Sequence, residues 1–270
     1  MSNSQAITAA SGGCHIFSGC GYPAPSIDAF FFKPIFSIGG FHFTKPMLLA
    51  LICAAIVVTF FAFAFARPKL VPRGAQNLGE LGVLFVRDQI LRPQLGKKGD
   101  RYLPFLVSLF FFVWVMNIMG IIPLAQFPAT SKIAFPLGLT LMVWVTYLTL
   151  GIRHQGPIGY FKNMAVPEGA PWWILPLLSP IELLSNIIVR PFTLTIRLFA
   201  NMLAGHLLLL VFALASWYLF SASVGLLFSA TSFLLTIVLT ALEVLIQALQ
   251  AFIFTTLTAF YFADAMESSH

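Results

Sequence analysis

From Leu198 to Leu242 the chain carries no Asp, Glu, Lys or Arg, and His206 is the only imidazole in the stretch. A helix crosses a hydrocarbon layer with about 20 apolar residues, so this run alone is long enough to cross twice. The runs 47–66 (MLLALICAAIVVTFFAFAFA), 102–127, 133–152 and 244–263 have the same character. Backbone amides in lipid must be satisfied within the segment, and a helix does this. A soluble exterior is excluded, since 9% of residues are charged against about 25% in ordinary soluble domains. The predicted class is an all-α integral membrane protein. It has five membrane-embedded helical segments plus one amphipathic surface helix, the last two segments being long, tilted and antiparallel.

The net charge of +6 does not point to nucleic acid, because the positive charges are not spread over a solvated domain. Arg67, Lys69, Arg73, Arg87, Arg92, Lys97, Lys98 and Arg101 all fall in one loop, which the positive-inside rule places in the cytoplasm. The predicted organisation is an extracytoplasmic N-terminal segment, 1–45, and a membrane domain, 46–270. Spans are expected at about 46–66, 102–127, 133–152, 172–220 and 225–263, with the N-terminus outside and the C-terminus inside. Residues of about 75–95 mix Leu, Val, Phe and Ile with Glu80, Arg87, Asp88 and Arg92 and read as the amphipathic helix. The polar 153–171 stretch reads as a connector. No signal-peptide pattern opens the chain, so the N-terminus is expected to be retained. The spacing of Cys14 and Cys20 leaves both pairing and free thiols open.

The last two spans exceed what an upright helix needs. At about 1.5 Å per residue they are roughly 70 Å and 60 Å long, against a hydrocarbon layer of about 30 Å. Either they break, at Pro191 or Gly205, or they tilt; no aqueous-loop composition interrupts them, which favours tilt. Each carries a polar row. At 100° per residue Asn186, Arg190, Arg197 and Asn201 share one face, and so do Ser232, Thr236, Glu243, Gln247 and Gln250. A charge at the bilayer centre costs at least about 2.5 kcal/mol, which makes such rows candidate functional sites. Arg190 has a second reading, snorkelling to the inner interface. Arg197 sits two turns further into the apolar run. Ser232 and Thr236 read as interhelical glue. His206 lies about 180° from Arg197, on the opposite side of the helix, and with Glu243 it reads either as a structural side chain or as part of a proton path.

Other chemistry is not encoded. There is no Cys/His metal spacing, no H-E-x-x-H and no Gly-rich phosphate loop, so neither metal nor cofactor is expected. The polar groups suit proton movement better than bond making.

Two segments bear a family resemblance. RPFTLTIRLFANMLAGH (190–206) and ALEVLIQALQAFIFTTLTAFYF (241–262) closely resemble the two signature helices of the subunit a family of F-type ATP synthases. FVWVMNIMGIIP (112–123) and the amphipathic segment extend the likeness. The resemblance implies a proton-channel stator subunit that is not catalytic alone. It would work with the c-ring of the rotor, subunit b or the peripheral stalk, the remaining synthase subunits and the lipid bilayer; the long N-terminal extension favours a bacterial plasma membrane over the mitochondrial inner membrane.

By position, Arg197 matches the arginine that faces the c-ring carboxylates and separates two offset half-channels. Asn201 matches the polar residue one turn on, and Gln250 the glutamine near the arginine. His206 and Glu243 match the facing pair of the outside half-channel, in the reverse order to many bacterial relatives, and Gln247 extends that path by one turn. Glu182 resembles the acid near the inner half-channel, with one more residue before Pro191 than the family pattern has. Arg190 joins the path by its place in the row. Gly120 stands where some bacterial relatives carry a carboxylate.

Two readings of other classes remain open on the residues. A secondary transporter would use Arg197 to bind an anionic substrate and would work alone in liposomes. A membrane scaffold would tolerate Arg197→Ala.

Overall fold

The computed structural model describes residues 36–38, 41–69, 71–122, 132–165, 174–219 and 224–266. Cys14, Cys20 and most of the 1–45 segment lie outside these residues. Among the described residues a short antiparallel hairpin, β1 (Phe36–Ile38) with β2 (Phe41–Phe43), places Phe36 opposite Phe43. Everything after it is helical: α1 (Lys45–Phe65), α2 (Ala75–Phe85), α3 (Arg92–Leu95), α4 (Leu103–Ile118), α5 (Ala134–Gln155), α6 (Pro157–Ala165), α7 (Leu175–Leu184), α8 (Arg190–Tyr218) and α9 (Val224–Met266). Five helical runs are long and apolar enough to cross a membrane, in agreement with the expected all-α class and its five segments.

The described residues divide into two compact units, Ala204–Leu245 and the combination of Lys33–Leu203 with Ile246–His270. In the larger unit the basic segment forms a helical hairpin with the second span. α2 passes into a π-helical turn at Val86–Leu91 and then α3, which stops at Gly96. The φ of +62° at Gly74 and +61° at Gly96 is left-handed backbone that side chains with a Cβ resist. One glycine starts the amphipathic helix and the other reverses it. Val86, Ile90 and Leu91 turn inward onto Leu106, Val107 and Phe110 of α4, while Leu78, Leu81 and Leu84 remain exposed. This one-sided burial fits an interfacial helix. Gln76 anchors its start: its amide donates to the Lys69 carbonyl (2.9 Å) and to Glu80 Oε1 (2.7 Å), and its Oε1 accepts from the Lys69 amide (3.0 Å). On the polar side Asp88 pairs with Arg87 at 2.9 Å and Arg92 at 3.5 Å.

α4 ends at Ile118, followed by a turn through Ile122; the remainder of the 102–127 run lies outside the described residues. The core of this unit is the meeting of α4, α5, the first turns of α8 and the end of α9. It contains Val113, Val143, Tyr147, Leu194, Leu198, Phe254 and Phe262, all almost fully buried. Burial of such side chains is worth about 25 cal/mol per Å² against water, but against lipid the gain comes from close packing and satisfied polar groups.

The 153–171 connector is more structured than its polarity and prolines suggest. α5 continues to Gln155 and α6 follows directly, reversed at Gly156 with φ +74°. The ring of Tyr160 drives this: it lies against the bare backbone of Gly151, where a Cβ would collide with it. Burial pushes the Tyr160 hydroxyl up to about 12, with a smaller push from Asp264. Gln155 Nε2 donates to the Ala265 carbonyl at 3.1 Å and Asn163 Nδ2 to Gln155 Oε1 at 3.0 Å, so the connector is tied to the end of α9.

Gly151→Val is predicted to destabilise this corner by about 1–3 kcal/mol through overpacking. The check is the melting midpoint of the detergent-purified protein, with partial recovery expected in Gly151→Val/Tyr160→Ala.

Candidate functional site

The approach to the site is set by two prolines. Pro180 lies inside α7 and Pro191 in the first turn of α8. A proline within a helix removes a backbone donor and crowds the carbonyl four residues back. Between them Ser185–Val189 forms a π-helical turn. A π turn closes at i→i+5 and so holds one residue more than an α turn. That accommodates the extra residue between Glu182 and Pro191 without interrupting the helix. It also corrects the helical-wheel grouping. Asn186 does not share the exposed face of Arg197 but is buried, and its carbonyl accepts the Tyr147 hydroxyl at 2.8 Å. A wheel at 100° per residue assumes an unbroken α-helix, and the π turn shifts the azimuth of every residue before it. Glu182 is half-buried on α7.

Past this turn α8 runs without a break through both Pro191 and Gly205, the two positions at which the sequence offered a break. Leu194, Thr195, Leu198 and Met202 form its buried side. Arg197 and Asn201 are exposed, off that side. No carboxylate among the described residues lies within ion-pairing distance of Arg197. Asn201 Nδ2 donates to Gln250 Oε1 at 2.8 Å. Gln250 is buried, and its Nε2 has no partner among the described residues. Gln247 is buried at 1% exposure. Arg190 is placed differently from Arg197: its Nη1 meets Asp264 Oδ2 at 2.5 Å, and its guanidinium lies over the Tyr261 ring, 5.2 Å from the centroid. Asp264 and Tyr261 were not singled out by sequence. The signal was available in the i, i+3 spacing of an aromatic and an acid at the end of an apolar helix.

The smaller unit holds the other pair. Glu243 is buried at 5% exposure, although a carboxylate in an apolar surrounding is costly unless it is partnered or neutral. Both of its oxygens lie where a Cβ on Gly205 would stand. The glycine therefore opens the space for the carboxyl group; His206, the next residue, is half-buried. The hydroxyl that bridges the two helices here is that of Ser229, which donates to the Ser216 carbonyl at 2.5 Å. Thr236 instead turns its hydroxyl onto its own helix, to the Ser232 carbonyl at 2.8 Å, so the glue expected of Thr236 is supplied by Ser229. Among the described residues no three His, Cys, Asp or Glu side chains converge as a metal site requires.

Comparison with known proteins decides the family. A family model described as ATP synthase A chain matches residues 47–263. The chain belongs to this family. It is 48% identical over 260 residues to ATP synthase subunit a of Streptomyces lividans, covering 95% of this chain and 92% of the relative. It is 48% identical over 251 residues to that of Frankia alni, covering 91% and 86%. To that of Rhodococcus erythropolis it is 39% identical over 251 residues, covering 92% and 91%. With its five membrane-crossing runs and bacterial relatives, the chain is a bacterial membrane protein.

The close approach of Gly205 to Glu243 gives a test independent of charge. Gly205→Ala is predicted to displace the Glu243 carboxyl group and slow passive proton conduction through the membrane sector about tenfold, with assembly retained. Glu243→Gln is predicted to slow it similarly. Measurement is by proton flux into vesicles stripped of the catalytic sector.

Proposed function

We propose that Arg197 is the fixed charge that separates two offset half-channels and sets the protonation of carboxylates carried past it by the rotating c-ring. Membership of the subunit a family makes the chain the proton-translocating stator component of an F-type ATP synthase, not catalytic alone. The observation that carries the finer reading is the exposed, carboxylate-free guanidinium on an apolar helix face. A guanidinium does not lose its proton in a protein. In low dielectric it favours the ionised form of any carboxylate that comes near. A protonated ring carboxylate arriving at Arg197 therefore releases its proton, and the same charge repels a free proton from passing straight through.

The outside half-channel is assigned to His206 and Glu243, extended by Gln247. Gln250 and Asn201 sit beside the arginine, and their hydrogen bond orients the Asn201 amide next to it. Glu182 is assigned to the inner half-channel. An α9 of 43 residues without a break is about 63 Å long, twice the hydrocarbon thickness, which supports a strongly tilted helix lying along the rotor. The c-ring and a peripheral-stalk subunit are the proposed neighbours in a plasma membrane. The N-terminus is assigned to the outside and the C-terminus to the cytoplasm from the basic loop. An outward-facing Arg197 counts against a transporter of an anionic substrate, whose binding arginine belongs in an enclosed central cavity.

Arg197→Ala and Arg197→Gln are predicted to abolish ATP synthesis and ATP-driven pumping in inverted vesicles at matched complex levels. Arg197→Lys is predicted to fail in synthesis too, because an amine neutralises when desolvated and lacks the planar fork. Coupled synthesis by Arg197→Ala at near the wild-type rate would refute this mechanism. For the topology, cysteines introduced at 75–100 should react with an impermeant reagent only from the cytoplasmic side, and those near Ser221 only from outside.

A further inference from the structure

Arg190 and Arg197 are seven residues apart on α8. They are thus separated by about 10 Å along the axis and about 20° around it. On the proposed reading, a ring carboxylate sweeping this face would meet two permanent cations in succession. Two such cations would ionise it at two positions, and the second would hold it one step away from the point of release. The structure treats the two arginines differently. Among the described residues Arg197 has no carboxylate, whereas Arg190 has Asp264 at 2.5 Å and the face of Tyr261 under its guanidinium. An ion pair has no net charge, and an aromatic face further satisfies the cation. The other nearby phenol, Tyr147, donates its hydroxyl to the Asn186 carbonyl.

We propose that Asp264 is the charge-cancelling partner of Arg190, which leaves Arg197 as the single uncompensated cation on this face of α8. Asp264 is a positioning residue: it acts by removing a competing attraction. The inference rests on the proposed role of Arg197 and adds to it a reason why the last turn of α9 ends in an acid.

A purely structural latch between α8 and α9 would use the same contact, and the two roles predict different mutant patterns. If Asp264 cancels charge, Asp264→Asn exposes Arg190 and slows ATP-driven pumping about tenfold. Arg190→Gln, which removes the competing cation together with its need for a partner, is then much milder. Asp264→Asn/Arg190→Gln recovers to the Arg190→Gln level, and Asp264→Glu stays near wild type. If the contact is a latch, either single substitution breaks it, the two are equally damaging, and the double variant is no better than either.

The experiment is proton pumping and ATP synthesis in inverted vesicles carrying the whole complex at matched levels, with Arg197→Ala alongside. Recovery in the double variant supports the inference. No recovery, or a silent Asp264→Asn beside an inactive Arg197→Ala, overturns it while leaving the role of Arg197 intact. An active Arg197→Ala overturns the underlying reading instead.

Discussion

A guanidinium in a water-poor layer has no easy escape. It does not deprotonate, and its charge is costly unless something nearby needs it. Each polar group at the end of this chain can be placed by its relation to that constraint. Arg190 is answered within the chain by Asp264 and Tyr261. Arg197 has no carboxylate partner among the described residues, on a face that it shares with Asn201. On the proposed reading, such a charge persists because its partner arrives from elsewhere. A carboxylate that comes and goes is the partner that uses a fixed positive charge best.

The backbone devices serve the same end. Proline-driven loss of an α-type bond ahead of α8 is taken up by the π turn at Ser185–Val189, which buries Asn186 while Arg197 and Asn201 stay outside. Glycine serves the other pair. Gly205 leaves the space that the Glu243 carboxyl group occupies, so a costly buried acid is held at a defined place. At the far corner Gly151 admits the Tyr160 ring, and Gln155 ties the connector to the carbonyl of Ala265. The end of α9, where Asp264 sits, is thus held from two sides.

Much of this was legible in the sequence because lipid leaves few choices. Charge-free runs of spanning length become helices, and the five-segment count follows from that alone. Arg197, Asn201, Glu243 and Gln250 were readable because a polar residue in an apolar helix is conspicuous. What escaped depended on departures from regular geometry or on distant pairing. The wheel grouped Asn186 with Arg197 because it presumes 3.6 residues per turn throughout. The connector looked like a loop because its composition does not reveal that Gly151 admits the ring of Tyr160, nine residues further along the chain. Asp264 was not singled out, since only the pairing of the start of α8 with the end of α9 brings it to Arg190.

The two arginines also show why charge count is a poor guide to electrostatics along a helix. By sequence they are equivalent, two permanent cations on one stripe. By structure one is half of a neutral pair and the other a lone charge. The field along the face is therefore set less by where arginines occur than by where a carboxylate withholds itself. A ring carboxylate is itself an acid looking for a cation, so an internal acid near Arg197 would compete with it directly. The absence of any such acid among the described residues is as much a part of the site as the guanidinium. A functional charge in an apolar layer is defined jointly by the residue that carries it and by the neighbours that leave it uncompensated.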